Sequence, residues 1–336
     1  MKNAKWVLLG GETLLGIEIR DLISERKLPV SLQVASTKSD EKVITRDEDE
    51  LLVISPLDEA MVDGADVILL GGNLKANKLA FQLAKKLKIR PAFVDLFCDF
   101  EEDPAARLRA PMLEDAKVAS DAGTIHSIVH PAAATLARLL VWLQAIAPVE
   151  RCVATILEPV SEHGKEGIDE LHKQAVSLFN FQPMPKEVFD TQVSFTMSPS
   201  YGEDSTHSLA AAETRIEKHL ATLLGPRKLA LPSIRLVHAP VFHGHCQNVW
   251  VEFAKRPAVA DVEKALAEAG ADVRTGGTEP ASNVGVAGHS GMIVSNIGED
   301  RGNPRGLWLW VASDNLRTRA DNALLTAALL TRKKVK

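Results

Sequence analysis

KWVLLGGETLLGIEIRDLISERKLPVSLQVAS, residues 5–36, opens with a short apolar run ending on glycine, continues at helical spacing and closes on a second short run rich in β-formers. Apolar runs of this length flanked by glycine or proline predict strands, and the amphipathic segment between them predicts a helix. The unit recurs. ADVILLGG (65–72) reads as a strand, ANKLAFQLAKKL (76–87) as a helix and PAFVDLF (91–97) as a strand. Alternation of this kind implies a parallel sheet covered by helices, so the first part of the chain, up to about residue 130, reads as a Rossmann-type doubly wound α/β domain.

After Pro131 the rhythm changes. HSIVHPAAATLARLL (126–140) reads as a turn that delivers a helix, and ATLARLLVWLQAIA (134–147) continues it. Further helices are expected at GIDELHKQAVSLF (167–179), LAAAETRIEKHLATLLG (209–225), AVADVEKALAEAG (258–270) and DNLRTRADNALLTAALLTRKK (314–334). Strands are expected at RCVATILEPV (151–160), QVSFTMSPS (192–200), IRLVHAPVFHGHCQNVWVEFA (234–254) and GLWLWVAS (306–313). Strands without βαβ spacing point to a mixed or antiparallel sheet, hence an α+β domain.

Composition narrows the function classes. A net charge of −5 over 336 residues lacks the basic excess of a nucleic-acid binder. No apolar stretch reaches the roughly 18 residues of a membrane span, and the N-terminal apolar run is broken by glycines too early for a signal peptide. The three cysteines, Cys98, Cys152 and Cys246, are too few and scattered for a disulfide framework or zinc site. A cytoplasmic, reduced protein with neither nucleic-acid nor membrane partners is expected.

Four stretches carry candidate chemistry. LGGETLLG (9–16) places Gly10, Gly11 and Gly16, with Thr13 at the middle position, between a strand and a helix. Such a turn lets a phosphate approach the helix N-terminus, and tight packing alone also explains it. The second strand ends in Ser36, Thr37 and Lys38, without the acidic residue that holds a ribose 2′-OH, so a bound nucleotide would be NADP rather than NAD; alternatively Lys38 is a solvated loop charge. His238, His243 and His245 lie on an apolar, strand-like stretch, with residues 243 and 245 on one face. With no carboxylate or cysteine at matching spacing, no metal is expected, and a general acid/base role for one histidine fits better. Lys165, near a helix N-terminus, is unfavourable there unless an anion sits beside it, although a solvated turn is an equally good reading.

Taken in order, LGGETLLG, ASTKS, LGGN, FVDLFCDFEEDP, PAAATL, EPVSEHGKEGIDEL, HAPVFHGHCQNVWVEF and WVASDNLRTRADNAL are similar to the aspartate-semialdehyde dehydrogenases. The resemblance implies a dinucleotide-binding domain, residues 1–129 with 316–336, and a catalytic-type dimerisation domain, residues 130–315, through which a homodimer forms. It implies a cysteine that attacks an aldehyde, a histidine that moves the proton, NADP as hydride acceptor and phosphate cleavage of the thioester. Set on the family's nucleophile turn, His130, Pro131 and Ala132 precede Ala133, which stands where the cysteine belongs. Glu158 takes the place of a glutamine, Glu101 and His238 take the places of two arginines, and Thr206 and Leu209 those of a substrate-binding Glu and Lys. Ser161, Glu162, His163 and Gly164 replace a nicotinamide-side loop. His245 matches the catalytic histidine and Asn315 a cofactor-side position.

The pattern resembles the Usg-like paralogues, bacterial proteins that keep the scaffold and depart from the catalytic residues. It implies a catalytically silent homodimer, with NADP binding retained or lost. The alternative is an NAD(P)-dependent oxidoreductase, or another enzyme, using His245, Glu158 or His238 as acid/base on a changed substrate. A cysteine enzyme is disfavoured, because Cys246 should face away from His245 on a strand.

Overall fold

The computed structural model describes residues 3–38, 42–47, 50–114 and 125–332. They form two compact units, Met1–Val129 with Arg319–Lys336, and His130–Thr318.

In the first unit, β1 (Ala4–Leu9) lies parallel to β2 (Val30–Ser36) on one side and to β5 (Val67–Leu70) on the other. Trp6–Leu9 and Val67–Leu70 are buried throughout, the continuous apolar run expected of central parallel strands covered on both faces. β6 (Ala92–Asp95), β8 (Ile125–Ile128) and β7 (Ala106–Arg109) extend the sheet one way. An antiparallel hairpin, β3 (Val43–Asp47) and β4 (Glu50–Pro56), extends it the other way, with β4 parallel to β2. Helices α1 (Leu14–Glu25), α2 (Glu59–Val62) and α3 (Leu74–Lys86) connect the strands. The chain passes from β1 to β2 on one flank and later to β5 on the other. The carboxyl ends of β1 and β5 therefore flank a topological switch point, where open α/β sheets bind ligands.

The second unit is built on a mixed sheet in the order β10 (Ser233–His238), β9 (Val149–Glu158), β11 (His245–Phe253), β14 (Gly306–Ser313), β13 (Ile293–Glu299), β12 (Asp272–Arg274). Ala154, Val249 and Leu309 are neighbours in register and fully buried, forming one row of the inner face. That face packs against α4 (Pro131–Ile146), which packs in turn on α6 (Leu209–Leu224). α4 starts with proline at a first-turn position and buries nearly every residue through Leu143, so it is a core helix rather than an amphipathic surface one. α5 (Gly164–Phe179) and α7 (Val259–Glu268) complete this unit, and α8 (Asn315–Arg332) begins in it and ends in the first.

Three local readings are overturned. QVSFTMSPS forms turns, touching the sheet only through a bridge between Ser198 and His238. The fully buried Gln174 of α5 takes the place of a strand neighbour: its Oε1 accepts from the N–H of Val193 and Ser194, while its Nε2 donates to the carbonyls of Pro185 and Thr191. His126–Ile128, read as a turn, lies in the buried strand β8, because the polar His126 and Ser127 masked an edge-flanked strand of the parallel sheet. His243 does not share a strand face with His245. Gly244 sits at φ +86° and breaks the extended backbone between them, so β11 begins only at His245. The hairpin of β3 and β4 and the strands β7, β12 and β13 were not anticipated.

Candidate functional site

The predicted nucleotide residues belong to the first unit. Thr13 caps α1, its Oγ1 accepting from Gly16 N at 3.0 Å, and Gly10 adopts φ +81°. A side chain on Gly10 would meet Gly71 O at 2.2 Å, and one on Gly16 would meet Gly10 O at 2.1 Å. Close approach of the turns after β1 and β5 thus demands these glycines for packing alone. The N–H groups of Gly10 and Gly11 both donate to Ala35 O, and that of Thr13 donates to Gly10 O. A phosphate at this helix start would therefore turn to the first-turn N–H groups of Leu14 and Leu15.

Between the tip of β2 and the start of α3 lies a cavity of about 890 Å³, lined by Ser36, Thr37 and Lys38 together with Asn73, Lys75 and Lys78. Its size is that of a small-molecule site. Sequence reasoning named the first three of these residues and missed the two lysines of α3, which the chain fold brings to the same wall. It also missed Glu12, in the middle of the glycine turn. Glu12 Oε1 accepts from Thr37 N at 2.7 Å, from Thr37 Oγ1 at 2.5 Å and from Ser36 Oγ at 3.1 Å.

Glu101 also lies in the first unit, in the turn after β6, half-buried. Nearby Asp95 is fully buried and accepts from the N–H groups of Phe97, Asp99 and Phe100 and from Ser127 Oγ. Burial pushes its carboxyl above the ordinary range, against the lowering effect of those donors. Cys98, at φ +62°, donates from Sγ to Ile128 O.

The second unit gathers most of the catalytic-type positions. His130 caps α4, its Nδ1 accepting from Ala132 N while its own N–H donates to His219 Nδ1 at 3.0 Å. Ala132 and Ala133 are completely buried, and Gln247 Nε2 of β11 donates to Ala132 O at 3.1 Å, fixing the helix start to the sheet. His245, two residues before Gln247 and on the same strand face, is fully buried with its ring 5.7 Å from that of His130. Thr135 Oγ1 donates to Ser313 Oγ.

Asn315 is the hub of the replaced loop. Its Nδ2 donates to Ser161 Oγ and Glu162 Oε1, and its Oδ1 accepts from Gly244 N and Ser161 Oγ. Glu162 Oε2 stands 3.6 Å from His130 Nε2. Gly164, at φ +68° with open space where a side chain would lie, begins α5. Lys165, the cation left unexplained at that helix start, pairs with Asp169 one turn along at 2.8 Å, which supports the solvated-turn reading.

Glu158, at the end of β9, is buried. His163 Nε2 lies 3.1 Å from both Glu158 Oε1 and the Tyr201 hydroxyl. Burial, then the charges of Glu158 and Glu162, holds the Tyr201 phenol protonated well above its usual range. The His207 ring lies 4.2 Å from that of His163, tilted by 46°, and burial, reinforced by His163, lowers its pKa to about 4. Burial also lowers the pKa of His238, whose Nε2 donates to Val193 O at 3.0 Å, and that of His243, against the raising charge of Asp314. Tyr201 and His207 escaped sequence reasoning because they sit on an irregular loop with no motif around them. Thr206 lies exposed on that loop, and Leu209 is the buried first residue of α6.

Neither Cys152 nor Cys246 resembles an activated thiol. Burial raises Cys152 to about 12 and Cys246 to about 11, and Cys246 packs among Val286, Ile293 and Ala312.

A Rossmann-type unit with a glycine turn at its switch point, followed by a mixed-sheet unit with a proline-started core helix, defines a two-domain dehydrogenase-type scaffold. A family model described as semialdehyde dehydrogenase, dimerisation domain, matches residues 141–318. The chain belongs to the semialdehyde dehydrogenase family. It is 26% identical to an aspartate-semialdehyde dehydrogenase of Rickettsia bellii over 327 residues, 94% of each chain. It is 30% identical to a USG-1 protein homolog of Pseudomonas aeruginosa over 200 residues, 59% of each. Among solved structures, a probable aspartate-semialdehyde dehydrogenase from Pseudomonas aeruginosa superposes with a TM-score of 0.85 at 23% identity, covering 99% of each chain. Aspartate semialdehyde dehydrogenase with NADP from Candida albicans superposes with a TM-score of 0.68 at 16% identity, over 99% of this chain and 100% of that one. No helix among the described residues is long and apolar enough to cross a membrane.

Proposed function

We propose that this chain is a cytoplasmic homodimer of the semialdehyde dehydrogenase family, Usg-like, that keeps a dinucleotide pocket and does not carry out the family's phosphate-dependent aldehyde oxidation. The observation that carries the reading is Ala133: the third residue of α4, fully buried, with no atom able to attack a carbonyl. Loss of a nucleophile costs several orders of magnitude in rate and is not made good by the remaining members of the set. Several polar groups at the cofactor-side and substrate positions are bonded within the protein. Asn315 holds Ser161, Glu162 and Gly244, and His238 is bonded to Val193. A carboxylate at Glu101, where an arginine fork would grip phosphate, adds repulsion to the loss of two donors. For the dimer, the outer sheet face offers Val153, Trp250 and Trp308 side by side across three strands, with Val153 46% and Trp308 39% exposed.

Purified protein given aspartate semialdehyde, NADP and phosphate is expected to produce no phosphate-dependent NADPH absorbance, and the Ala133→Cys variant is expected to stay equally silent. Turnover by the wild type that His245→Ala abolishes would overturn the proposal. The second reading, an enzyme of changed chemistry, draws on the buried Glu158, His163 and Tyr201 chain, a plausible acid/base set. Stabilisation by one small carbonyl compound in a thermal-shift series, lost in His163→Gln, would favour it.

A further inference from the structure

The cavity of about 890 Å³ has two walls of different character. On the first, the tip of β2, the donors that a strand tip ordinarily offers to a nucleotide are already in use. Thr37 N, Thr37 Oγ1 and Ser36 Oγ all donate to Glu12 Oε1, and Lys38 N donates to Ser36 Oγ. The tip adds one cation to the cavity wall, the exposed Lys38.

The second wall is a single stripe of α3. Lys75, Lys78, Leu79 and Gln82 recur at helical spacing and all line the cavity, joined by Leu57 from the chain just after β4. Both lysines stand near the amino end of α3, whose first turn holds no acidic residue. A cation is unfavourable at the positive end of a helix, and two of them three residues apart repel. Lys165, in a similar position on α5, is answered by Asp169. Neither the Lys75 nor the Lys78 ammonium group has a hydrogen-bond or ion-pair partner among the described residues. No carboxylate occurs among the described lining residues either, so these two charges are answered neither along the helix nor across the cavity.

That arrangement has the chemistry of a phosphate grip. Each ammonium is a point charge with three donors, and a dianionic phosphate would meet Lys38 from one wall and Lys75 and Lys78 from the other. Leu57, Ala76 and Leu79 give a base an apolar surface in the same cavity. The pyrophosphate of a dinucleotide belongs elsewhere, at the start of α1.

Resting on the reading that the dinucleotide pocket is retained, we infer that Lys75 and Lys78 are its specificity-determining residues: they grip a phosphate on the 2′ position of the adenosine ribose. Preference for a 2′-phosphorylated nucleotide is then set from α3, while the tip of β2 is held in shape by Glu12.

Isothermal titration of the full chain with NADP, NAD, adenosine 2′,5′-bisphosphate and 5′-AMP, at one fixed low salt concentration, tests the assignment. The wild type is expected to bind NADP at least about tenfold more tightly than NAD, with the same order for the two adenosine nucleotides. In the Lys75→Gln, Lys78→Gln double variant that preference is expected to fall by about tenfold or more through weaker NADP binding, with NAD affinity within about twofold of the wild type. Both side chains are exposed, so circular dichroism is expected to show an unchanged fold. Raising the salt is expected to shrink the wild-type preference and to leave that of the double variant nearly constant. A parallel loss of NAD and NADP in the double variant would put the lysines on the shared pyrophosphate and overturn the assignment. An unchanged ratio, a wild type without preference for NADP, or a larger fall in Lys38→Gln than in the double variant overturns it as well. Binding of none of the four nucleotides overturns it together with the retained-pocket reading.

Discussion

The turn after β1 and the start of α4 are built from the same backbone device, a sharp entry into a helix, but their polar groups are disposed differently. Around α4 many side chains answer each other: His130 caps the helix and stands by Glu162, Gln247 Nε2 ties down Ala132, and Asn315 uses both of its donors and its acceptor on neighbours, while Gln247 Oε1 and His238 Nδ1 are buried without a hydrogen-bond partner. At the tip of β2, by contrast, Lys38, Lys75 and Lys78 stand at an open cavity. Buried polar groups that satisfy one another specify a structure, whereas polar groups at the wall of an open cavity can meet a ligand. The contrast is between polar groups held mostly by one another and polar groups at the wall of an open cavity.

The largest effect that can break it comes from the hub. Asn315→Ala removes partners from Ser161, Glu162 and Gly244 at once and is expected to lower unfolding free energy by about 3 kcal/mol, since each orphaned buried group costs roughly 1 kcal/mol or more. Chemical denaturation measures it; a loss below about 0.5 kcal/mol would mean the cluster is not self-supporting.

Acid sharpens the same contrast. His207, with its pKa lowered to about 4 against an ordinary 6.5, and the similarly lowered His238 bind protons more readily when unfolded. The contribution of His207 to stability is complete above about pH 6.5 and is lost as pH falls through the window toward about 4, and His238 acts in the same direction. The second unit's thermal midpoint is expected to decline over that window, and His207→Gln is expected to flatten the decline. Asp95, raised by burial in the first unit, acts in the opposite sense at the acid end, as the folded state takes up its proton more readily. A steeper acid loss in the first unit, followed by amide exchange in each, would reverse the contrast.

The smallest effect belongs to Lys165. Its pair with Asp169 is exposed and spans a single helical turn, so Lys165→Ala is expected to shift the midpoint by no more than the error of the measurement. A clear loss would show that the cation at the α5 start serves something beyond that pair.

Legibility followed periodicity. Trp6–Leu9, Val67–Leu70 and the helices between them announce themselves because apolar period and glycine punctuation are local properties. The β8 strand did not, since Ile125–Ile128 gains its strand character from neighbours on both sides rather than from its own residues. Gln192–Ser200 misled in the other direction: its composition favours a strand, and a glutamine on α5 captures its backbone first.

The sequence by itself determined the alternation of strands and helices, the glycines at the switch point and the proline and alanines that open α4, because each is written in the identity and spacing of neighbouring residues. Only the tertiary structure decided which polar groups meet. That Glu12 grips the tip of β2, that Asn315 gathers a loop from residues far behind it, and that His163 joins Glu158 to Tyr201 depend on contacts between distant segments, and hydrogen bonds are settled by distance and direction in space.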